Sequence, residues 1–151
     1  MARFAGHSSV ASKRGTGRSF GNKQSEHPIS QFANIKVVVV DDDEAVRDSL
    51  LVMLSLAGFQ VATCKSGAEF LAELEHKTPD CLVLDVHMPG MNGLDLIARL
   101  NADSCTIPVI LISGNPDAAT EAAARRLGVS HLLKKPFSGA VLIETVKSVT
   151  T

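Results

Sequence analysis

Residues 35–44 read IKVVVVDDDE, a β-branched apolar run that stops on three aspartates. Branched side chains are stiff at χ1 and pack well on a pleated surface, so the run predicts a strand. It has no polar alternation, which suits a strand covered on both faces. The acids then stand at that strand's carboxyl end. Directly after them, Glu44–Ala57 spaces Val46, Leu50, Met53, Leu54 and Ala57 three or four apart, with Gly58 at the place of a helix C-cap.

The same couplet of strand and helix recurs outward from this stretch. Phe59–Thr63 is a short strand, and Ser66 followed by Glu69 carries a capping-box signature for a helix through Phe70, Leu71 and Leu74. Cys81–Leu84 (CLVL) is a second buried strand that ends at Asp85, and the turn-rich HMPGMNG leads into a helix with Leu94, Leu96, Ile97 and Leu100. Val109–Ile112 is the fourth strand, and Pro116–Leu127 is an Ala-rich helix closed by Gly128. Ser130–Leu133 is the fifth strand, and Ser138 caps a last helix through Val141, Leu142, Thr145 and Val146. Strands alternating with helices predict right-handed βαβ units, hence an α/β, doubly wound, five-stranded parallel sheet with helices on both faces.

Composition narrows the function classes. The chain has 151 residues, 45% hydrophobic and 21% charged, with a net charge of −1 and no Trp or Tyr. A nucleic-acid surface and an aromatic stacking platform are therefore disfavoured. No apolar run is long enough to span a membrane, and the N-terminus lacks an apolar core for secretion, which predicts a cytoplasmic protein. Cys64, Cys81 and Cys105 are odd in number and lack metal-ligand spacing, as expected of reduced thiols. Residues 1–34 hold five basic residues against one acid and show no apolar period. We read 1–33 as a flexible basic tail, faintly like an organelle transit peptide in composition, and 34–151 as the folded domain.

In an open parallel sheet, ligands bind outside the carboxyl ends of the strands. Asp41, Asp42, Asp43 and Glu44 follow the first strand, Asp85 the third, Ser113 the fourth, and Lys134, Lys135 and Pro136 the fifth. Carboxylates about 5 Å apart at an effective dielectric near 20 repel by roughly 3 kcal/mol, enough to hold a proton or demand a cation. An all-oxygen set suits Mg²⁺, whereas zinc is disfavoured without a His or Cys pair. With Mg²⁺, an ammonium and a hydroxyl around Asp85, the guest that fits is a phosphoryl group. Lys135 would neutralise its oxygens, Ser113 would donate to it, and Asp85 would be the in-line nucleophile.

Four stretches carry a resemblance: VVVVDDDE (37–44), CLVLDVHMPGMNG (81–93), VILISG (109–114) and HLLKKPF (131–137). In this order they resemble the response-regulator receiver domain, the CheY-like family, over about residues 34–150. Around Asp41 and Asp85 they look most like receivers of the FixJ/NarL type, which often precede helix-turn-helix output domains. The resemblance implies a flavodoxin-like strand order 2-1-3-4-5. It also implies that Asp85 is the phospho-acceptor, and that Mg²⁺ is held by Asp41, Asp42, Asp85 and the backbone carbonyl of His87. Lys135 and Ser113 match the phosphoryl-pairing lysine and the switch hydroxyl, and the bond from Lys135 to Pro136 is expected to be cis. Leu132 falls where the family usually has Tyr or Phe, and His87 and Asn115 fall at positions that tune phosphate lifetime.

Together these readings predict a single-domain response regulator that takes a phosphoryl group from a histidine kinase or histidine phosphotransfer protein. It would signal to a downstream effector through its fourth helix, fifth strand and fifth helix, with no DNA-binding domain, no membrane contact, and dimerisation left open. It is expected not to be an enzyme beyond its own Mg²⁺-dependent phosphorylation and dephosphorylation. Two alternatives stand beside it: a degenerate receiver used as a phosphate-independent docking module, and a Mg²⁺-dependent aspartyl-phosphate phosphatase. The second is weakened because His87, not an acid, stands two residues after Asp85.

Overall fold

Five parallel strands form one sheet in the order β2-β1-β3-β4-β5, in a computed structural model that describes residues 31–151. The elements alternate strictly: β1 (Lys36–Val40), α1 (Glu44–Leu56), β2 (Gln60–Cys64), α2 (Gly67–Leu74), β3 (Cys81–Asp85), α3 (Gly93–Ala102), β4 (Val109–Ser113), α4 (Ala118–Arg126), β5 (His131–Lys134) and α5 (Gly139–Thr150). Both the predicted architecture and the strand order implied by the resemblance are present. The α4 helix is shorter than the Pro116–Leu127 periodicity suggests, because Asp117 caps it by accepting from the Thr120 N–H. The cap satisfies one of the first-turn N–H groups that have no partner within the helix.

Alternate residues of each strand enter opposite layers, as the pleat requires. Val38, Val40, Leu82, Leu84 and Leu111 pack with Phe70 of α2, Leu96 and Leu100 of α3, and Ala124 of α4. Val37, Val39, Cys81, Val83 and Ile110 pack with Leu50 and Leu54 of α1 and Leu142 and Val146 of α5. This explains why β1, β3 and β4 lack polar alternation: both faces are covered.

Caps set where each helix leaves the sheet edge. Asp43 accepts from the Ala45 and Val46 N–H groups to start α1, and Gly58, at φ +107°, ends it in the left-handed region that glycine allows. Ser66 accepts from the Glu69 N–H as predicted, while the Glu69 carboxylate accepts from the Lys65 N–H. A full reciprocal capping box forms elsewhere, between Asn92 and Asp95 at the start of α3.

At the amino end of the sheet, the Phe32 and Phe59 rings meet with centroids 5.2 Å apart and a tilt of 36°, and Lys147 Nζ lies 5.1 Å from the Phe32 ring centroid. The Gln60 side-chain amide also donates to the Ala33 carbonyl at 2.9 Å. Phe32 and Ala33, the last residues of the expected tail, thus contact the folded unit. Residues 1–30 of the expected basic tail lie outside the described residues. Among the described residues, no helix is long and apolar enough to cross a membrane.

Candidate functional site

The carboxyl edge of the sheet gathers the polar residues that the strand ends were expected to deliver. Asp41 follows β1, Asp85 ends β3, Ser113 ends β4, and Lys135 follows β5. All of them except Lys135 are buried: Asp41 is 2% exposed, Asp85 5% and Ser113 0%. Buried polar side chains are expensive unless partnered, so such a group at a strand end marks a built site.

Carboxylate oxygens of Asp41, Asp42 and Asp85 all lie within 4.8 Å of one another. Lys135 Nζ answers two of them, at 3.4 Å from Asp41 Oδ2 and 3.3 Å from Asp85 Oδ1. Asp41 is further held by the Asp43 N–H, which donates to its Oδ1 at 2.9 Å. Asp42 is exposed, and among the described residues its carboxylate accepts no hydrogen bond. Three acids with one ammonium leave an excess of negative charge at this edge, which a cation could neutralise. The donors are all oxygen, as a hard divalent ion such as Mg²⁺ requires, so the residues present fit that ion.

Electrostatics single out Asp85. Burial raises its carboxyl above the usual range, the neighbouring Asp41 and Asp42 raise it further, and Lys135 only partly offsets them. On Lys135, partial burial works against the ammonium, but Asp41 and Asp85 outweigh it, so its pKa is raised and it stays charged. The result is a buried carboxylate poised beside a fixed cation, able to accept an electrophile or a metal.

Local packing brings these groups to their places. The Lys135 N–H donates to the Ser113 carbonyl at 2.9 Å, tying the segment after β5 to the end of β4. The peptide bond between Lys135 and Pro136 is cis, as the resemblance implied. The Ser113 hydroxyl accepts from the Asn115 N–H at 3.2 Å, so its orientation is set by its own loop. His87 lies exposed in the β3–α3 loop two residues beyond Asp85, and its ring is not part of the acid cluster. Leu132 is half-buried on β5 against the layer that contains Ala124, and together they line an open groove of about 840 Å³ with Arg125 and Lys134 on its rim.

Two residues here escape sequence reasoning. A Cβ on Gly93 would stand 2.5 Å from the Asp85 carbonyl, so only glycine lets α3 start against the backbone of the buried acid. Its only sequence signal was its place at the end of the turn-rich PGMNG. Arg47 Nη1 donates to the Asp41 carbonyl at 2.8 Å. The one signal for that contact was a cation at the end of the first turn of the helix after the acid pair.

Residues 37–147 match the family described as the response regulator receiver domain. The transcriptional regulatory protein FixJ of Azorhizobium caulinodans is 38% identical over 115 residues, covering 76% of this chain and 54% of that protein. The crystal structure of FixJ-N is 35% identical with a TM-score of 0.72, covering 78% of this chain and 94% of that one. The chemotaxis protein CheY4 of Vibrio cholerae is 28% identical with a TM-score of 0.73, covering 78% and 99%. This chain spans about half the length of the curated relatives it matches.

Proposed function

This chain belongs to the response regulator receiver domain family, and from that premise we propose that it receives a phosphoryl group on Asp85 and thereby switches its binding to a partner protein. The observation that carries the reading is the lysine bridge: one ammonium 3.3–3.4 Å from two buried acids, among three carboxylates at a sheet edge. Asp41, Asp42 and Asp85, with the backbone carbonyl of His87, are the residues that would hold Mg²⁺, whose chemistry there is to neutralise charge on phosphoryl oxygens.

Asp85 supplies the nucleophile. One Oδ forms a bond to phosphorus as the P–N bond of a donor phosphohistidine breaks, and the imidazole leaves with the electron pair and takes a proton. Lys135, held charged by its acid neighbours, pairs with the incoming oxygens. The Ser113 hydroxyl exchanges its contact with the Asn115 N–H for one to the phosphoryl group, which pulls the 113–117 loop toward Asp85. That loop leads into α4, so a local exchange at the site would bias the surface formed by α4, β5 and α5. The donor is a histidine kinase or phosphotransfer protein acting in the cytoplasm, and the receiver turns over no external substrate.

Leu132 supports a second reading. A leucine cannot present the ring that usually reports on the switch hydroxyl, so the groove beside α4 could serve docking without phosphate.

Labelling by acetyl phosphate separates the two. Mg²⁺-dependent gain of one phosphate in intact mass, labile to hydroxylamine and lost in Asp85→Asn, is the expected result. Failure of wild type to label, with partner binding unchanged in Asp85→Asn, would leave the docking reading in its place.

A further inference from the structure

Each polar atom of Asp41 is held by a different part of the fold. Its N–H donates to the Cys64 carbonyl at 3.2 Å, its Oδ1 accepts from the Asp43 N–H at 2.9 Å, and its Oδ2 faces Lys135 Nζ at 3.4 Å. The fourth contact is the Arg47 Nη1 donor, 2.8 Å from the carbonyl. That carbonyl belongs to the planar peptide joining Asp41 to Asp42, so its direction sets where the Asp42 Cα stands. The Asp42 carboxylate has no hydrogen bond of its own among the described residues, and its place in the cluster depends on that backbone.

Arg47 is half-buried in the first turns of α1, with its N–H donating to the Asp43 carbonyl at 3.0 Å. A cation there opposes the helix dipole, which favours negative charge at the N-terminal end. The guanidinium turns back across the β1–α1 loop to meet a backbone oxygen, and among the described residues it forms no ion pair with the acids. Its geometry is that of a brace.

We propose that Arg47 is a positioning residue for the cation site, holding the Asp41–Asp42 peptide so that both carboxylates converge. The inference rests on the reading that these acids bind Mg²⁺. It makes a prediction of definite sign. If Arg47 acted only through its charge, removing it would tighten binding of a cation to three carboxylates. A brace predicts the opposite. Groups that orient metal ligands typically contribute 10–100-fold in affinity, and Arg47→Ala is expected to bind Mg²⁺ about 10-fold more weakly.

The test is calorimetric titration of the full chain with Mg²⁺, beside amide spectra of the metal-free protein. Arg47→Ala should weaken binding and shift the Asp42 and Asp43 amides before any metal is added. Arg47→Lys, which keeps a donor and a charge, should recover most of the affinity. If Arg47→Ala does not fold, Arg47→Met keeps the bulk without the donor and should give the same loss. Equal or tighter binding in the folded variant overturns the positioning role. A wild type that takes up no Mg²⁺ overturns instead the reading on which it rests.

Discussion

The two ends of this sheet are built from opposite materials. At the carboxyl end stand two buried carboxylates, a buried hydroxyl and a lysine. At the amino end, Phe32, Phe59 and Ile35 seal the layer that α1 and α5 cover. The middle of every central strand is apolar on both faces, so the sheet itself is indifferent to which end carries charge. The acids sit where the strands deliver side chains to loops that helix N-termini then close. There, N–H groups and one ammonium compensate them incompletely, and the remainder is available to a ligand. At the other end apolar packing dominates, and the polar groups there, such as the Gln60 amide on the Ala33 carbonyl, are paired within the chain.

This contrast predicts that changes at the amino end cost stability and leave the chemistry alone. Phe59 is 3% exposed. Replacing it with alanine should destabilise the fold by about 3–5 kcal/mol through lost burial and a residual cavity, read from the urea midpoint. Mg²⁺ affinity of the folded fraction should stay at the wild-type value. A large change in that affinity would break the comparison, because the two ends would then be coupled.

The opposite sign is expected at the carboxyl end. Carboxylates within 4.8 Å repel by about 3 kcal/mol at an effective dielectric near 20, part of which the lysine cancels. Asp85→Asn should therefore stabilise the metal-free protein by about 1 kcal/mol at neutral pH while abolishing labelling. Because burial and Asp41 raise the Asp85 carboxyl, the folded protein holds that proton after the unfolded chain has released it. Wild-type stability thus falls as pH rises from the ordinary aspartate value through the raised one, and the variant lacks that slope. Parallel unfolding curves across this range for both proteins would contradict the reading.

The thiols sharpen the comparison at the smallest scale. Burial pushes Cys64 and Cys81 up to about 12, whereas Cys105 is half-buried beside a cavity of about 540 Å³ near the amino ends of β4 and β5. A thiol reagent at pH 8 should modify Cys105 alone, with the other two reacting only on unfolding. Early modification of Cys64 would mean that the carboxyl edge next to β2 opens far more readily than its packing suggests.

Much of this is legible in the sequence alone. The IKVVVVDDDE and CLVLD runs predict buried parallel strands ending in acid, since unbroken β-branched runs and terminal charges are local properties of the chain. Element order, the class of fold and the strand ends that carry Asp41, Asp85, Ser113 and Lys135 followed from that pattern. The strand order came from resemblance, because periodicity says which segments are strands and nothing about which are neighbours. Helix ends such as Asp117 were missed by a residue or two, because a cap is decided by one hydrogen bond against a competing apolar period.

What the sequence determined by itself is therefore the list of groups at one edge and the apolar layers that carry them. What only the tertiary structure decided is how those groups meet. Lys135 and Asp41 lie far apart along the chain, and only the crossing order of the strands brings them within reach of each other. Gly93 is necessary because α3 begins against the Asp85 carbonyl, and Arg47 matters because its side chain reaches back to one peptide. Contacts of this kind depend on distances of a few ångströms between non-adjacent segments, and a local pattern of residue types contains no such distance.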